Sequence, residues 1–351
     1  MPETQNQLLK VAIDAMGGDK APSVPVEGAV QAAKSGLAEV FIVGDNDLVQ
    51  KELAKHEIGD LPVHFVPSEG KIEDNEPPAL ALRQKPTASI LVATNLVKNK
   101  TADAVISMGS TGGTMAAAVV LLGTIKGIER PAIGGPIVGS APNQTILDLG
   151  SNLDCKPSQL LGFGVLGSVF SKLLVGVKNP KLGLLSVGSE EGKGNVQSKE
   201  ATMLFKKSGL NFIGNIEGND LVTGKADVVV CDGFVGNVVL KLVEGLGKGF
   251  AAQLSEVLKG KIPDDHLNSL MADLYKKNNV VDAGGGGPVF GVNGVSIIGH
   301  GNASAGTIER AVGLAKMCVN THLIEEMNKE VSMVMSTVDD LINETIICIR
   351  L

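Results

Sequence analysis

The chain has 351 residues, 44% of them hydrophobic and 20% charged, which is enough apolar material for one large or two ordinary cores and excludes disorder as its main state. A formal net charge of −7, with 3% aromatic residues and no Trp, argues against a nucleic-acid binder that works by base stacking or by net attraction to phosphates. Glycine is the outlier at 44 positions, well above the usual ~7%, and the glycines cluster after apolar runs, where tight turns close strand ends.

Residues 1–10 are polar and lack an apolar signal core, as expected of a cytoplasmic chain. Short β-type runs lie at 9–16, 40–43, 63–66, 104–108, 133–138, 145–149, 182–187, 212–216, 227–231 and 295–298. Several are almost wholly apolar, the pattern of parallel strands covered on both faces. Helical patterns fall between them at 24–34, 47–56, 88–98, 114–125, 156–174 and 195–207. The alternation predicts an α/β fold, a three-layer and mostly parallel sheet with right-handed crossovers. The acidic, Pro-containing stretch 69–78 reads as a loop. Residues 104–125 carry no charge over 22 positions, long enough to span a bilayer, but their Ser, Thr and Gly content fits a strand, a glycine turn and a buried helix. Residues 237–277 read as a helical pair broken near 260–263, with Leu246, Phe250, Leu254, Val257 and Leu258 in one stripe and Leu267, Leu270, Met271 and Leu274 in the other. A helix is expected over 303–329, followed by a tail, 331–351, with no assigned role.

In an open α/β sheet, ligands bind outside the carboxyl ends of the strands, so the loops after the runs are where chemistry is sought. The first carries Asp14, Gly17, Gly18 and Asp19, either a site or a plain turn with Asp19 or Ser23 capping the next helix. The second holds Gly109, Ser110, Thr111, Gly112, Gly113 and Thr114. Its small residues, with N–H groups exposed at a helix start, favour an anion over a bare turn. The third contains Asn152 and Cys155, where the thiol is a nucleophile or, more commonly, a small buried side chain. The fourth, 188–195, resembles a Walker A loop but is one residue short and has Gly194 where Ser or Thr is required. Mg-nucleotide binding is therefore not supported, while Lys193 remains available to a phosphate as a point charge.

The fifth loop leads to Asn237 and Lys241, one helical turn apart. The sixth carries His300, Asn302 and Ser304, with the imidazole flanked by glycines directly after a strand, as an acid, a donor or a structural group. A GxGxxG at 162–167 sits inside a helical pattern rather than after a strand, and so reads as close helix packing. Cys155, Cys231, Cys318 and Cys348 are widely spaced, with no CxxC or Cys/His metal pattern, so a reduced setting is expected and metal binding is not indicated. Only four residues are Arg, so an anion site must lean on Lys, backbone N–H groups and helix starts.

Eight segments in order from residue 11 to 311 carry a resemblance: VAIDAMGGDKAP, SMGSTGGTMAAA, RPAIGGPIV, DLGSNLDCKP, LLSVGSEEGKGN, FIGNIEGND, DVVVCDGFVGNVVLK and GHGNASAGTIERA. Together they resemble the bacterial phosphate acyltransferase family of phospholipid synthesis, which makes acyl phosphate from acyl-acyl-carrier protein and inorganic phosphate. The resemblance implies one α/β catalytic unit over 1–330, related to phosphotransacetylases and to the isopropylmalate-dehydrogenase architecture. It implies a homodimer acting with no metal, nucleotide or other cofactor. It also implies a product passed to a membrane glycerol-3-phosphate acyltransferase, and a helical pair at 245–277 that serves dimer contact and approach to the inner face of the cell membrane.

Because phosphate is then itself the nucleophile, no covalent enzyme intermediate is required. On that basis Gly109–Thr114, Lys193 and Asn195 are expected to contact phosphate, and Asn237, His300 and Asn302 to polarise the carbonyl or protonate the leaving thiolate. Asp14, Gly17, Gly18, Asn152, Lys241 and Ser304 complete the expected substrate contacts. Lys241, Lys248, Lys259, Lys261, Lys276 and Lys277 lie in or near the helical pair, which is expected to meet the acidic carrier, the membrane surface or both, against the alternative that both stripes are buried in a dimer interface. Three other readings stay open: a CoA-dependent phosphate acetyl- or butyryltransferase, an NAD-dependent β-decarboxylating dehydrogenase, and a non-enzymatic acyl-binding membrane scaffold. The dehydrogenase would need an Asp cluster for metal and a cofactor fingerprint, and neither is evident.

Overall fold

The computed structural model describes residues 8–278, 280 and 284–350, without the side chains of 275, 276, 278 and 339–350. The polar start over 1–7 and the Lys276 side chain therefore lie outside the described residues. In chain order the elements are β1 (Leu9–Asp14), α1 (Ser23–Lys34), β2 (Ala38–Gly44), α2 (Asn46–Leu53), β3 (Val63–Pro67), α3 (Pro78–Gln84), α4 (Ser89–Lys98), β4 (Ala104–Ser107), α5 (Thr111–Leu122), β5 (Ala132–Gly135), β6 (Thr145–Leu147), α6 (Pro157–Phe170), β7 (Leu182–Leu185), α7 (Val196–Lys207), β8 (Phe212–Ile216), β9 (Val228–Val230), α8 (Gly233–Leu258), α9 (Asp264–Asn278), β10 (Gly287–Phe290), β11 (Val295–Ile298), α10 (Ala305–Asn320) and α11 (Leu323–Arg350). Two compact units form, Met1–Ile125 with Gly284–Ile324, and Lys126–Ala283 with Glu325–Leu351.

The first unit holds a sheet ordered β3-β2-β1-β4-β11-β10, parallel throughout except that β10 runs antiparallel to β11. Val11, Ala12 and Ile13 of β1 are all buried, as a central parallel strand demands. On one face α1 and α10 cross closely, because a Cβ at Gly28 would stand 2.7 Å from Ile308 Cβ. On the other, Ile90, Leu91, Ala93 and Val97 of α4 pack with Ala117 of α5 against Ala12 and Val105.

The second unit holds a sheet ordered β5-β6-β9-β7-β8, with β5 antiparallel to β6 and the rest parallel. Helix α6 is buried along almost its whole length. The GxGxxG expectation of close packing holds there, since a Cβ at Gly164 would lie 2.6 Å from Phe205 Cε1 and one at Gly167 would lie 2.7 Å from Val228 Cγ1. Residues 157–175 form a helical stretch long and apolar enough to cross a membrane, but 67% of that window is buried, the signature of a core helix.

Every strand read from the sequence is present, most of them trimmed at the ends, and 104–125 is strand, turn and helix. The pair over 237–277 is α8 and α9, broken at Gly260, which adopts φ +74°. Two elements were not anticipated. Strand β10 carries Pro288 after a glycine run, and α3 follows directly on the acidic loop. The helix expected over 303–329 breaks into α10 and α11 at His322, which takes φ +52°. Helix α11 then runs on through residue 331, with Val331, Val334 and Val338 buried, so the start of the expected tail packs into the second unit.

Candidate functional site

In the first unit β1, β4 and β11 are neighbours, so the loops leaving their carboxyl ends converge. Gly17 is what lets them meet: a Cβ there would sit 2.7 Å from Gly109 N and 2.9 Å from both Asp14 Oδ2 and Ser107 Oγ. Gly18 turns at φ +104°, and Asp19 N–H donates to Gly301 O at 2.7 Å. Around this junction lies a cavity of about 300 Å³ lined by residues 16–19, 71–74, 107–111, 113, 114 and 299–301 with Asp14 and Ile90.

Asp14 is buried at its base, where its Oδ2 accepts from Ser107 Oγ at 2.7 Å and its Oδ1 from Met16 N–H at 3.1 Å. Burial pushes its carboxyl above the ordinary range, and the bonds from Ser107 and the Met16 and Gly17 N–H groups only partly oppose this. Ser110 caps α5 by accepting from Gly113 N–H at 3.3 Å. Ser110 O accepts from Thr114 N–H at 2.9 Å as well, and the start of α5 brings Ser110, Thr111, Gly113 and Thr114 to the cavity wall, where Gly113 stands against Ile72. Thr114 is buried in this same turn, and its hydroxyl has no hydrogen-bond partner among the described residues.

Of the expected residues, Asp14, Gly17, Gly18, Gly109, Ser110, Thr111, Gly113, Thr114 and His300 line this cavity. Gly112 faces Pro78 instead, with a would-be Cβ 2.7 Å from Pro78 Cγ. Asn302 is exposed and does not line the cavity, while Ser304 caps α10 by accepting from Thr307 N–H at 3.2 Å. Lys71, Ile72, Glu73 and Asp74 line it without having been anticipated, and Lys71 Nζ lies 3.3 Å from Glu73 Oε1. Nothing in their sequence marks them beyond one Lys within an acidic loop.

The second unit carries the other expected residues on the loops after β6, β9 and β7. Asp148 is fully buried and accepts from the N–H groups of Ile133, Ser151 and Asn152, the last at 2.7 Å. Burial raises its carboxyl, opposed by the bonds from Ser151 and Asn152. Asn152 Nδ2 donates to Pro131 O and to Asp148 Oδ2, both at 2.8 Å. Both of its amide hydrogens are therefore engaged in fixing the loop. Asn195 caps α7, its Oδ1 accepting from Ser198 N–H and Ser198 Oγ at 2.8 Å, which leaves its Nδ2 outward.

Lys193 is exposed, with no carboxylate in ion-pair range among the described residues. Asp232 caps α8 through Val235 N–H at 2.8 Å and sets Asn237 on the second turn, where a Cβ at Gly150 would lie 3.4 Å from Asn237 Oδ1. Lys241 Nζ pairs with Glu244 Oε2 at 3.0 Å. Burial and then the Asp148 charge push the Cys155 thiol up to about 12, so it is not a thiolate at neutral pH. Among the described residues, no three His, Cys, Asp or Glu side chains are placed to hold a metal ion.

The chain matches the model of a family described as "Fatty acid synthesis protein" over residues 9–326. It is 44% identical over 330 residues to a protein named phosphate acyltransferase from Pelotomaculum thermopropionicum, covering 92% of this chain and 95% of that one. It is 41% identical over 340 residues to a protein of the same name from Geotalea daltonii, covering 95% and 98%. Among solved structures it is similar to a phosphotransacetylase from Streptococcus pyogenes, with a TM-score of 0.57 at 19% identity over 91% of this chain and 94% of the other, a likeness of fold.

Proposed function

Because the chain belongs to the phosphate acyltransferase family, we propose that it transfers an acyl group from an acyl-carrier-protein thioester to inorganic phosphate, giving acyl phosphate and free carrier for glycerophospholipid synthesis. The observation that carries this reading is the start of α5, where the positive end of a helix and the unpartnered, buried Thr114 hydroxyl line a cavity.

A phosphate oxygen attacks the thioester carbonyl carbon, the carbon–sulfur bond breaks, and the thiolate leaves with a proton. No enzyme nucleophile enters, in keeping with the buried, protonated Cys155. In the second unit Lys193 offers positive charge, and Asn195 a donor, to an anionic substrate group. In the first unit His300, at the cavity, acts on the carbonyl or on the departing sulfur and Asn302 supplies an outer contact; in the second unit Asn237 and Lys241 offer further groups to the thioester.

The protein acts as a homodimer, and the exposed apolar side chains along α8 meet a partner copy or the membrane that carries the glycerol-3-phosphate acyltransferase receiving the product. Incubation with acyl-carrier thioester and labelled phosphate yields acyl phosphate, reduced roughly 10²–10³-fold in turnover by Lys193→Ala or His300→Ala. Near-wild-type product from both folded variants overturns the assignment, and turnover with acyl-CoA but not with the carrier thioester selects the CoA-dependent alternative. Flotation with anionic vesicles, lost in Phe250→Glu and Leu254→Glu while the dimer persists, tests the membrane contact.

A further inference from the structure

The cavity of the first unit is lined by the carboxylates Asp14, Asp19, Glu73 and Asp74 as well as by the start of α5. Asp19, Glu73 and Asp74 are exposed, and Lys71 pairs with Glu73, so water or a cation answers their charge. Asp14 differs: it is 4% exposed, and the groups that hold it are hydroxyls and N–H groups rather than a cation. Ser107 Oγ accepts from Gly109 N–H at 3.0 Å and turns its own hydrogen to Asp14 Oδ2 at 2.7 Å. Met16 N–H donates to Oδ1 at 3.1 Å. An ionised carboxylate offers about four acceptor positions, more than these two bonds fill.

Two glycines keep side chains away from this carboxyl. A Cβ at Gly17 would stand 2.9 Å from Asp14 Oδ2 and one at Gly109 3.6 Å from it, and both residues line the cavity. Ser110, directly after Gly109, is the cap of α5, and the Thr114 hydroxyl, buried and without a partner among the described residues, lines the same space. A helix start and a free hydroxyl suit a negative ion, whereas a buried carboxylate beside them repels one that has no hydrogen to share. Inorganic phosphate is still protonated at neutral pH and sulfate is not.

We propose that Asp14 is the specificity-determining residue of this anion site: its carboxylate accepts the P–OH hydrogen of bound phosphate, and so admits hydrogen phosphate while rejecting sulfate, an ion of the same shape with no hydrogen to give. This rests on the acyl-transfer reading above and adds to it how the substrate anion is chosen and turned. With the P–OH held at Asp14, the unprotonated oxygens are left to the α5 start and to attack. Burial pushes the carboxyl above its ordinary range, which makes it a stronger acceptor than a carboxylate in water.

Calorimetric titration of the full-length wild type, without thioester, at pH 8 and constant ionic strength compares phosphate with sulfate, which there carry nearly equal charge. Phosphate binds at least about 10²-fold more tightly, since a site that pairs a substrate hydroxyl rejects the analogue lacking it by up to about 10⁴–10⁵. Asp14→Asn sets an N–H donor against the anion, and the preference falls to within about tenfold. Thr114→Val removes a donor that serves either ion, so both affinities fall together and the preference stays. Asp74→Asn, at an exposed carboxylate of the same cavity, leaves the preference at its wild-type value. Sulfate that binds wild type as tightly as phosphate overturns the proposal, with no variant required to fold. A preference unchanged in Asp14→Asn, or lost equally in Asp74→Asn, overturns it too. Wild type that prefers phosphate yet forms no acyl phosphate from the carrier thioester overturns the acyl-transfer reading and leaves the anion selectivity supported.

Discussion

Replacing Gly17 by Ala adds one methyl group at the point where three strand-end loops meet. The new Cβ would stand 2.7 Å from Gly109 N and 2.9 Å from Asp14 Oδ2 and Ser107 Oγ. Ordinary heavy-atom contact begins near 3.5 Å, so these groups must retreat by roughly 0.6–0.8 Å each. Gly109 N is backbone, and Ser107 Oγ and Asp14 are bonded to each other in a buried site, so none of them yields cheaply. Overpacking of this kind costs about 1–3 kcal/mol. The same displacement moves the start of α5 relative to the rest of the cavity, and a shift approaching 1 Å costs about 10²-fold in turnover. Gly192→Ala is the matched control, because nothing lies within 4 Å of its would-be Cβ, and its effect is expected within about 0.5 kcal/mol. Urea unfolding and acyl phosphate release at saturating thioester, with phosphate titrated, give both quantities. Two variants that match in unfolding midpoint and turnover would refute the claim that close approach at Gly17 builds the cavity.

Thr114→Val removes a hydroxyl that has no protein partner, so stability changes little while KM for phosphate rises about tenfold or more, the worth of a hydrogen bond to a charged group; an unaltered KM excludes this contact. For Asp14 the folded-state carboxyl titrates above its ordinary 3.8, so below that value both states are protonated and it contributes nothing to pH dependence. As pH rises from there the unfolded chain ionises first and wild type loses stability until the folded value is passed. Asp14→Asn lacks this loss, so its stability relative to wild type grows as pH rises above 3.8 until the folded value is passed, and a flat difference in urea melts would count against the burial argument. Cys155→Ser retains turnover and the native thiol resists alkylation at pH 8, because burial holds it at about 12; rapid inactivation by iodoacetamide through Cys155 is the contrary result.

The strands were legible because their apolar runs are short and end in glycine, and Val295–Ile298 is found as read from the sequence. Strand β10 was not, since Pro288 and the preceding glycines are turn signals that only pairing with β11 overrides. The Gly109–Thr114 loop announced itself through residues that a helix start facing an anion requires. Lys71–Asp74 did not, because their place at the cavity follows from how the loop folds over α5, which no local spacing encodes. Ser110, Asn195 and Ser304 each precede a helix and each caps it, and a polar residue at that position carries both meanings in sequence. Asn152 shows the limit most plainly, for which of its two amide atoms is free depends on Asp148 and Pro131, one of them 21 residues away.

Strand β11 pairs in parallel with β4 and so covers what is otherwise an edge of the first sheet, although it is made nearly 190 residues later. During synthesis at about 5–20 residues per second, the flank of β4 with Val105 and Ile106 therefore stays open for some 10–40 s. A nascent chain with an open strand edge is a target for holding chaperones and for mispairing with a neighbouring copy, so the ribosome must pass residue 298 before this sheet is complete.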